Sequence, residues 1–238
     1  AYVCAACAMA AVALGSGNTS LVYASTETEQ ELKTNSKATY LSQFDAEAYI
    51  ELPDYSSIPV DASEGDTTGI QNDIGDYLLE NSSFLQELPQ PFVNRNTSTL
   101  KDELQNYADT YKMELADFMK LYDSSLTEDT YEQYIEDLGL AYSKKLVVMQ
   151  AVANAEDLAV SDEELDEQIK TQADAAGYSS ISEYKKAVKM DPEELREVMM
   201  STKVLEFLQE KVIYNNANKS ETETITESVT DSEQEGES

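Results

Sequence analysis

Acids outnumber bases 47 to 16 in this chain of 238 residues, and there is no histidine at all. The two cysteines, Cys4 and Cys7, lie at the very start. Beyond them the sequence has no imidazole base, no thiol nucleophile and no soft metal ligand. A Ser/His/Asp or Cys/His site is therefore excluded. Carboxylate chemistry is not, but no calcium-loop or glycine-rich phosphate-loop spacing occurs. We expect no catalytic residue, no metal and no cofactor. What the chain does offer is soft apolar surface, with 7 Met, 15 Tyr and no Trp. Met113, Met119, Met149, Met190, Met199 and Met200 punctuate the later sequence. Met is flexible and polarizable, and Tyr combines an apolar face with a polar tip. Met199 and Met200 are adjacent, so they cannot both face one core. The same residues at helical spacing also suit an ordinary core.

The elements that would carry these side chains are mostly helices. Residues 67–81 place Ile70, Ile74, Tyr77 and Leu78 at helical spacing, with Thr67 or Thr68 as the cap. Pro89 and Pro91 mark a break. A helix then runs from Phe92 to about Lys112, with Leu100, Leu104, Tyr107, Ala108 and Tyr111 on its apolar side. Residues 114–122 form a short helix. Thr127, followed by two acids, opens a long amphipathic run to Asp157. Ser161 with Glu164 has capping-box spacing. Gly177 breaks the chain before a short helix over 181–190. Asp191 caps the last helix, with Pro192 at its first position.

A faint internal repeat runs through these elements. Ala108-Asp-Thr-Tyr-Lys-Met, then Asp117-Phe-Met-Lys120, is one copy. Ala173-Asp-Ala-Ala-Gly-Tyr, then Glu183-Tyr-Lys-Lys186, is the other. Each is long helix, short helix, long helix, and two such units can project as two arms.

Outside the helices the composition shifts. Residues 1–24 resemble a secretory signal peptide. The run is apolar and small from Ala1 to Gly15, and Val22 and Ala24 suit a cleavage site. Cleavage after Ala24 leaves no cysteine, which fits an exported protein. Cys7 also admits a lipid-anchored variant. Residues 25–39 read as a flexible linker. Residues 40–66 read as an extended arm, because β-branched and aromatic residues alternate there with Pro53 and Pro59. Residues 67–214 form the helical domain. The tail, 215–238, has seven acids and one Lys and reads as disordered. A net charge of −31 argues against nucleic acid and anionic membrane as partners, since both need clustered Lys and Arg. Nothing in the sequence sets the oligomeric state.

The stretch from Ala141 to Ile169 (Ala-Tyr-Ser-Lys-Lys-Leu-Val-Val-Met-Gln, continuing into Ser161-Asp-Glu-Glu-Leu) resembles the C-terminal domain of trigger factor, the bacterial folding chaperone. Leu88-Pro-Gln-Pro-Phe-Val93, Tyr111-Lys-Met113, Tyr184-Lys-Lys and Lys203-Val-Leu-Glu-Phe-Leu208 continue the likeness. The resemblance implies a mainly α, elongated multi-helix chaperone module, with two helical arms and a short extended N-terminal arm. It departs from the family in two ways. No basic, glycine-containing ribosome-docking loop is seen, and residues 61–87 are too few for the family's prolyl isomerase domain. The resemblance thus implies ATP-independent holding of unfolded or nascent polypeptides, here outside the cytoplasm. The expected client surface is Met113, Phe118, Met119, Tyr122, Tyr142, Met149, Met190, Met199, Met200 and Phe207. The alternatives are a reduced prolyl isomerase, or an acidic surface protein with one defined partner.

Overall fold

The computed structural model describes residues 33–215. The expected signal peptide, the first part of the linker and all of the tail but Asn215 lie outside the described residues. The fold is mainly α. The described residues form seven helices: α1 (Thr67–Asn81), α2 (Gln90–Tyr111), α3 (Leu115–Met119), α4 (Tyr131–Ala155), α5 (Asp162–Ala175), α6 (Ile181–Val188) and α7 (Pro192–Gln209). Four short strands accompany them: β1 (Ile50–Glu51), β2 (Ile58–Val60), β3 (Ser83–Phe84) and β4 (Val212–Tyr214).

The second half of α4 is the axis of the body. Leu146, Val147, Val148, Met149, Ala151, Val152 and Ala153 are all buried there. Only Lys144, Gln150 and Asn154 leave a polar edge on this half, so most of its circumference must be covered. The apolar stripe expected of the whole helix is therefore much wider in its second half. The cover comes from Ile70, Ile74 and Leu78 of α1, Phe92 and Val93 of α2, and Val204, Leu205 and Leu208 of α7. Each such side chain contributes about 1.5–3 kcal/mol when fully buried. Lys145 is buried among them and reaches Asp76 of α1 at 2.6 Å, so its charge is paired.

The N-terminal segment completes the body, which corrects two expectations. Residues 40–66 are not a free arm. They run through two 3-10 turns, Leu41–Gln43 and Ala46–Ala48, and then β1 and β2. Leu41, Phe44, Ala46, Tyr49, Ile50, Ile58 and Val60 are buried against the helices, because this much apolar surface is better covered than left wet. The strand reading was right in kind. β1 pairs antiparallel with β3, Ile50 opposite Phe84. β2 pairs parallel with β4, Ile58 opposite Val212, so this segment meets the C-terminal end of the described residues. Pro59 sits exposed in β2, between buried Ile58 and Val60. Nor are residues 33–39 a loose tether. Ala38 is fully buried, and the Asn35 amide donates to Tyr49 Oη at 3.1 Å.

Most of the helix starts fall where the caps predict. Ser161 and Glu164 form the reciprocal box, at 3.2 and 2.8 Å. Asp191 accepts from the Glu193 amide at 3.0 Å. Two caps differ. Asp66, not Thr67 or Thr68, caps α1, its carboxylate accepting from Gly69 N–H at 3.0 Å. Thr127 lies in a turn ahead of α4, and its amide donates to Thr130 Oγ1 at 2.9 Å.

Candidate functional site: an aromatic arm tip

The distal half of α2, with α3 and the first half of α4, has a core of its own. Leu104, Ala108, Leu115, Phe118, Met119, Leu126, Ile135 and Leu138 are buried in it. It shares none of these residues with the body core. The layer between the two cores is polar. Gly139 of α4 meets Thr97 of α2 so closely that an added Cβ would lie 2.8 Å from Thr97 Cα. Only glycine allows the helices to approach this far. Beside it, Asn96 donates to Ser143 Oγ at 3.0 Å, both residues buried.

At the tip, three tyrosines surround one phenylalanine. Tyr107 and Tyr111 stack near Phe118, with centroids 6.4 and 6.0 Å away and ring planes 7° and 21° apart. Tyr122 meets Phe118 edge-on at 5.5 Å. Phe118 is 4% exposed, whereas Tyr111, Leu121 and Tyr122 are 66%, 68% and 56% exposed. Tyr107 and Tyr111 are one helical turn apart on α2, which puts both rings on the same side as α3. The helix then stops. Lys112 takes a left-handed conformation (φ 58°), and Met113 N–H returns to Ala108 O at 2.9 Å. The chain turns away before any element covers the rings. Lys120 pairs with Asp117 at 2.8 Å, and that bond raises the lysine above its usual range. Ser125 holds the Asp123 carboxyl below its usual range. The rim therefore stays charged around an apolar centre.

The structure separates the expected client residues into groups. Phe118, Met119, Met149 and Met200 are core, not surface. The first two fill the arm core and the other two the body core. Each sits on the inward side of its helix, where neighbouring elements exclude water. Met113 is half-buried against the arm core. Tyr142, Met190, Met199 and Phe207 are half-buried against the body core, so adjacent Met199 and Met200 face the same core, contrary to expectation. Phe207 also carries Lys211 Nζ 4.1 Å over its ring. Of the ten, Met113, Phe118, Met119 and Tyr122 come together at the arm. Tyr107, Tyr111 and Leu121 belong with them and were not named as binding residues. Tyr107 and Tyr111 continue the apolar stripe of α2, so spacing alone reads them as core. The signal is the helix end at Lys112, beyond which α2 no longer continues over Tyr111.

A mainly α module with a self-contained arm and a partly open aromatic tip is the class these features define. Residues 62–210 match the family described as bacterial trigger factor protein C-terminus, and the chain belongs to that family. Trigger factors from two strains of Ureaplasma parvum serovar 3 are 25% identical over 163 residues, which is 66% of this chain. The chain spans about a third of the length of these curated relatives, 35% in each case. A solved trigger factor structure from Thermotoga maritima aligns over 68% of this chain and 94% of that chain, at 21% identity and a TM-score of 0.44. A likeness that loose carries no argument here. Among the described residues no helix is long and apolar enough to cross a membrane, and no group of three acids or cysteines has metal-binding geometry.

Proposed function

We propose that this chain holds unfolded or partly folded polypeptides without ATP, outside the cytoplasm. The observation that carries the first part is the arm tip, where Tyr111, Leu121 and Tyr122 stand more than half exposed around buried Phe118. Contiguous exposed apolar surface with a charged rim favours contact with other chains. Stacking faces and an aliphatic side chain accept many sequences, because none demands one hydrogen-bond geometry. Membership of a chaperone family supports the same activity. The extracytoplasmic part rests on the apolar run Ala1–Gly15 and on Val22 and Ala24.

The test is suppression of aggregation of a chemically denatured protein. We expect protection near stoichiometric ratios. The double variant Tyr111→Ser/Leu121→Ser should lose most of that protection while keeping its helix content. No protection by the parent chain at several-fold excess overturns the proposal. A proline-limited refolding assay run alongside should show no acceleration. Fractionation of producing cells tests the location, and recovery only from the cytoplasm defeats that part alone.

A further inference from the structure

A continuous run of buried polar groups links the base of the arm to the N-terminal segment. It begins at α4, where Ser143 Oγ–H donates to Gly139 O at 2.7 Å and accepts from Asn96 Nδ2 at 3.0 Å. Asn96 Oδ1 accepts from Arg95 Nη2 at 2.7 Å. The same Nη2 donates to Glu197 Oε2 of α7 at 2.5 Å. Glu197 Oε1 accepts from the backbone N–H of Leu41 at 2.9 Å. The run thus crosses α4, α2 and α7 and ends on the N-terminal segment.

That end is also fastened from the side. Tyr40 Oη donates to Asp191 Oδ2 at 2.5 Å, and Ser42 Oγ donates to Glu193 Oε2 at 2.9 Å. The Tyr40 ring lies 4.6 Å from the Arg95 guanidinium carbon, and the Phe92 ring lies 5.4 Å from it. Arg95 Nε and Nη1 are buried without a hydrogen-bond partner. The cation is therefore held by one nitrogen and two ring faces, and one of those faces belongs to the N-terminal segment.

Asn96, Ser143 and Glu197 are 4%, 0% and 7% exposed, so water does not take over when a partner leaves. Losing one link leaves a buried donor or acceptor unmatched, and its neighbour in the run feels the loss. The segment and the arm base accordingly share one set of atoms, centred on Arg95 Nη2.

We propose that the N-terminal segment, residues 33–49, acts as a strap. Seated on α7 it keeps the α2/α4 crossing closed at Thr97 and Gly139, and lifted from α7 it loosens the base of the arm. The coupling stands whatever the arm tip binds.

The test is amide hydrogen exchange on the intact chain, with one conservative change on the strap's side fastening and one at the arm-base end of the run. Tyr40→Phe removes only the hydroxyl on the strap. Ser143→Ala removes only the hydroxyl at the arm base. We expect each to speed exchange at both ends, residues 41–49 and the α2/α4 crossing, by roughly twofold to tenfold, the size of one lost hydrogen bond. Glu197→Gln, in the middle, should speed both ends together. Exchange in α5 serves as the control and should not change. If each end variant affects only its own end, the strap and arm are independent and the proposal fails. A rise that includes α5 equally is general destabilisation and also overturns it.

Discussion

The two copies of the internal repeat end their long helices alike and then part company. In the first, Lys112 turns left-handed (φ 58°) and Met113 N–H bonds Ala108 O at 2.9 Å. In the second, Gly177 does the same (φ 78°) and Tyr178 N–H bonds Ala173 O at 2.9 Å. Each short helix then buries one aromatic ring, Phe118 in α3 and Tyr184 in α6. Phe118 is covered by tyrosines of its own unit and lies in a separate core. Tyr184 stacks edge-on with Tyr178 at 5.4 Å and joins the body core, with Leu165, Ile169 and Ala173 of α5. Equivalent local chemistry thus makes a free-standing arm in one place and a docked flank in the other. What differs is the neighbour. The polar layer at Asn96, Thr97, Gly139 and Ser143 divides the first unit from the body, while an apolar seam fuses the second to it.

The strongest way to break this comparison is to delete the two rings. Tyr184→Ala and Phe118→Ala should each cost about 3–5 kcal/mol. For Tyr184→Ala the loss should appear in the global denaturant midpoint. For Phe118→Ala it should appear as fast exchange confined to residues 104–138. Equal loss of body protection in Phe118→Ala would show that the arm is not a separate unit.

Gly139→Ala presses a methyl group on Thr97 backbone and should cost about 1–3 kcal/mol, as overpacking does. Arm exchange measures it. The two left-handed ends sharpen the picture further. Gly177→Ala should lose about 1–2 kcal/mol, while Lys112→Gly should relieve part of the same strain in the first unit. Thermal melts of both variants read the opposite signs.

The smallest effect is the response to acid. Lys203, with the Ser161 amide and hydroxyl, holds the Glu164 carboxyl down to about 2 from an ordinary 4.5, at an α5–α7 contact of 2.6 Å. A carboxylate lowered by folding stabilises the fold above its unfolded value, and the contribution fades as the pH drops through the folded one. The attachment of α5 should therefore weaken between pH 4.5 and about 2. Lys203→Met should remove most of that pH dependence from α5 exchange.

Much of this architecture was legible in the residues. Ser161 with Glu164 and Asp191 with Pro192 announce helix starts, because a cap is a contact between residues three apart or fewer. Pro89 and Gly177 announce breaks for equally local reasons, while Pro91 falls in the first turn of α2. The Met and Tyr content, and the absence of His, set the kind of chemistry. Spacing could not say which side of α4 would be left open, so Met149 looked like surface although it is enclosed on every side. Nor could it seat residues 33–66, whose apolar side chains find their cover on helices far along the chain. Tyr111 is open for the converse reason: the stripe continues to the end of α2, but no further element covers its outer side. Short-range hydrogen bonding is written into neighbouring residues and is determined by the sequence alone. Whether an apolar face is covered depends on which separate elements pack on it, and only the folded chain decides that.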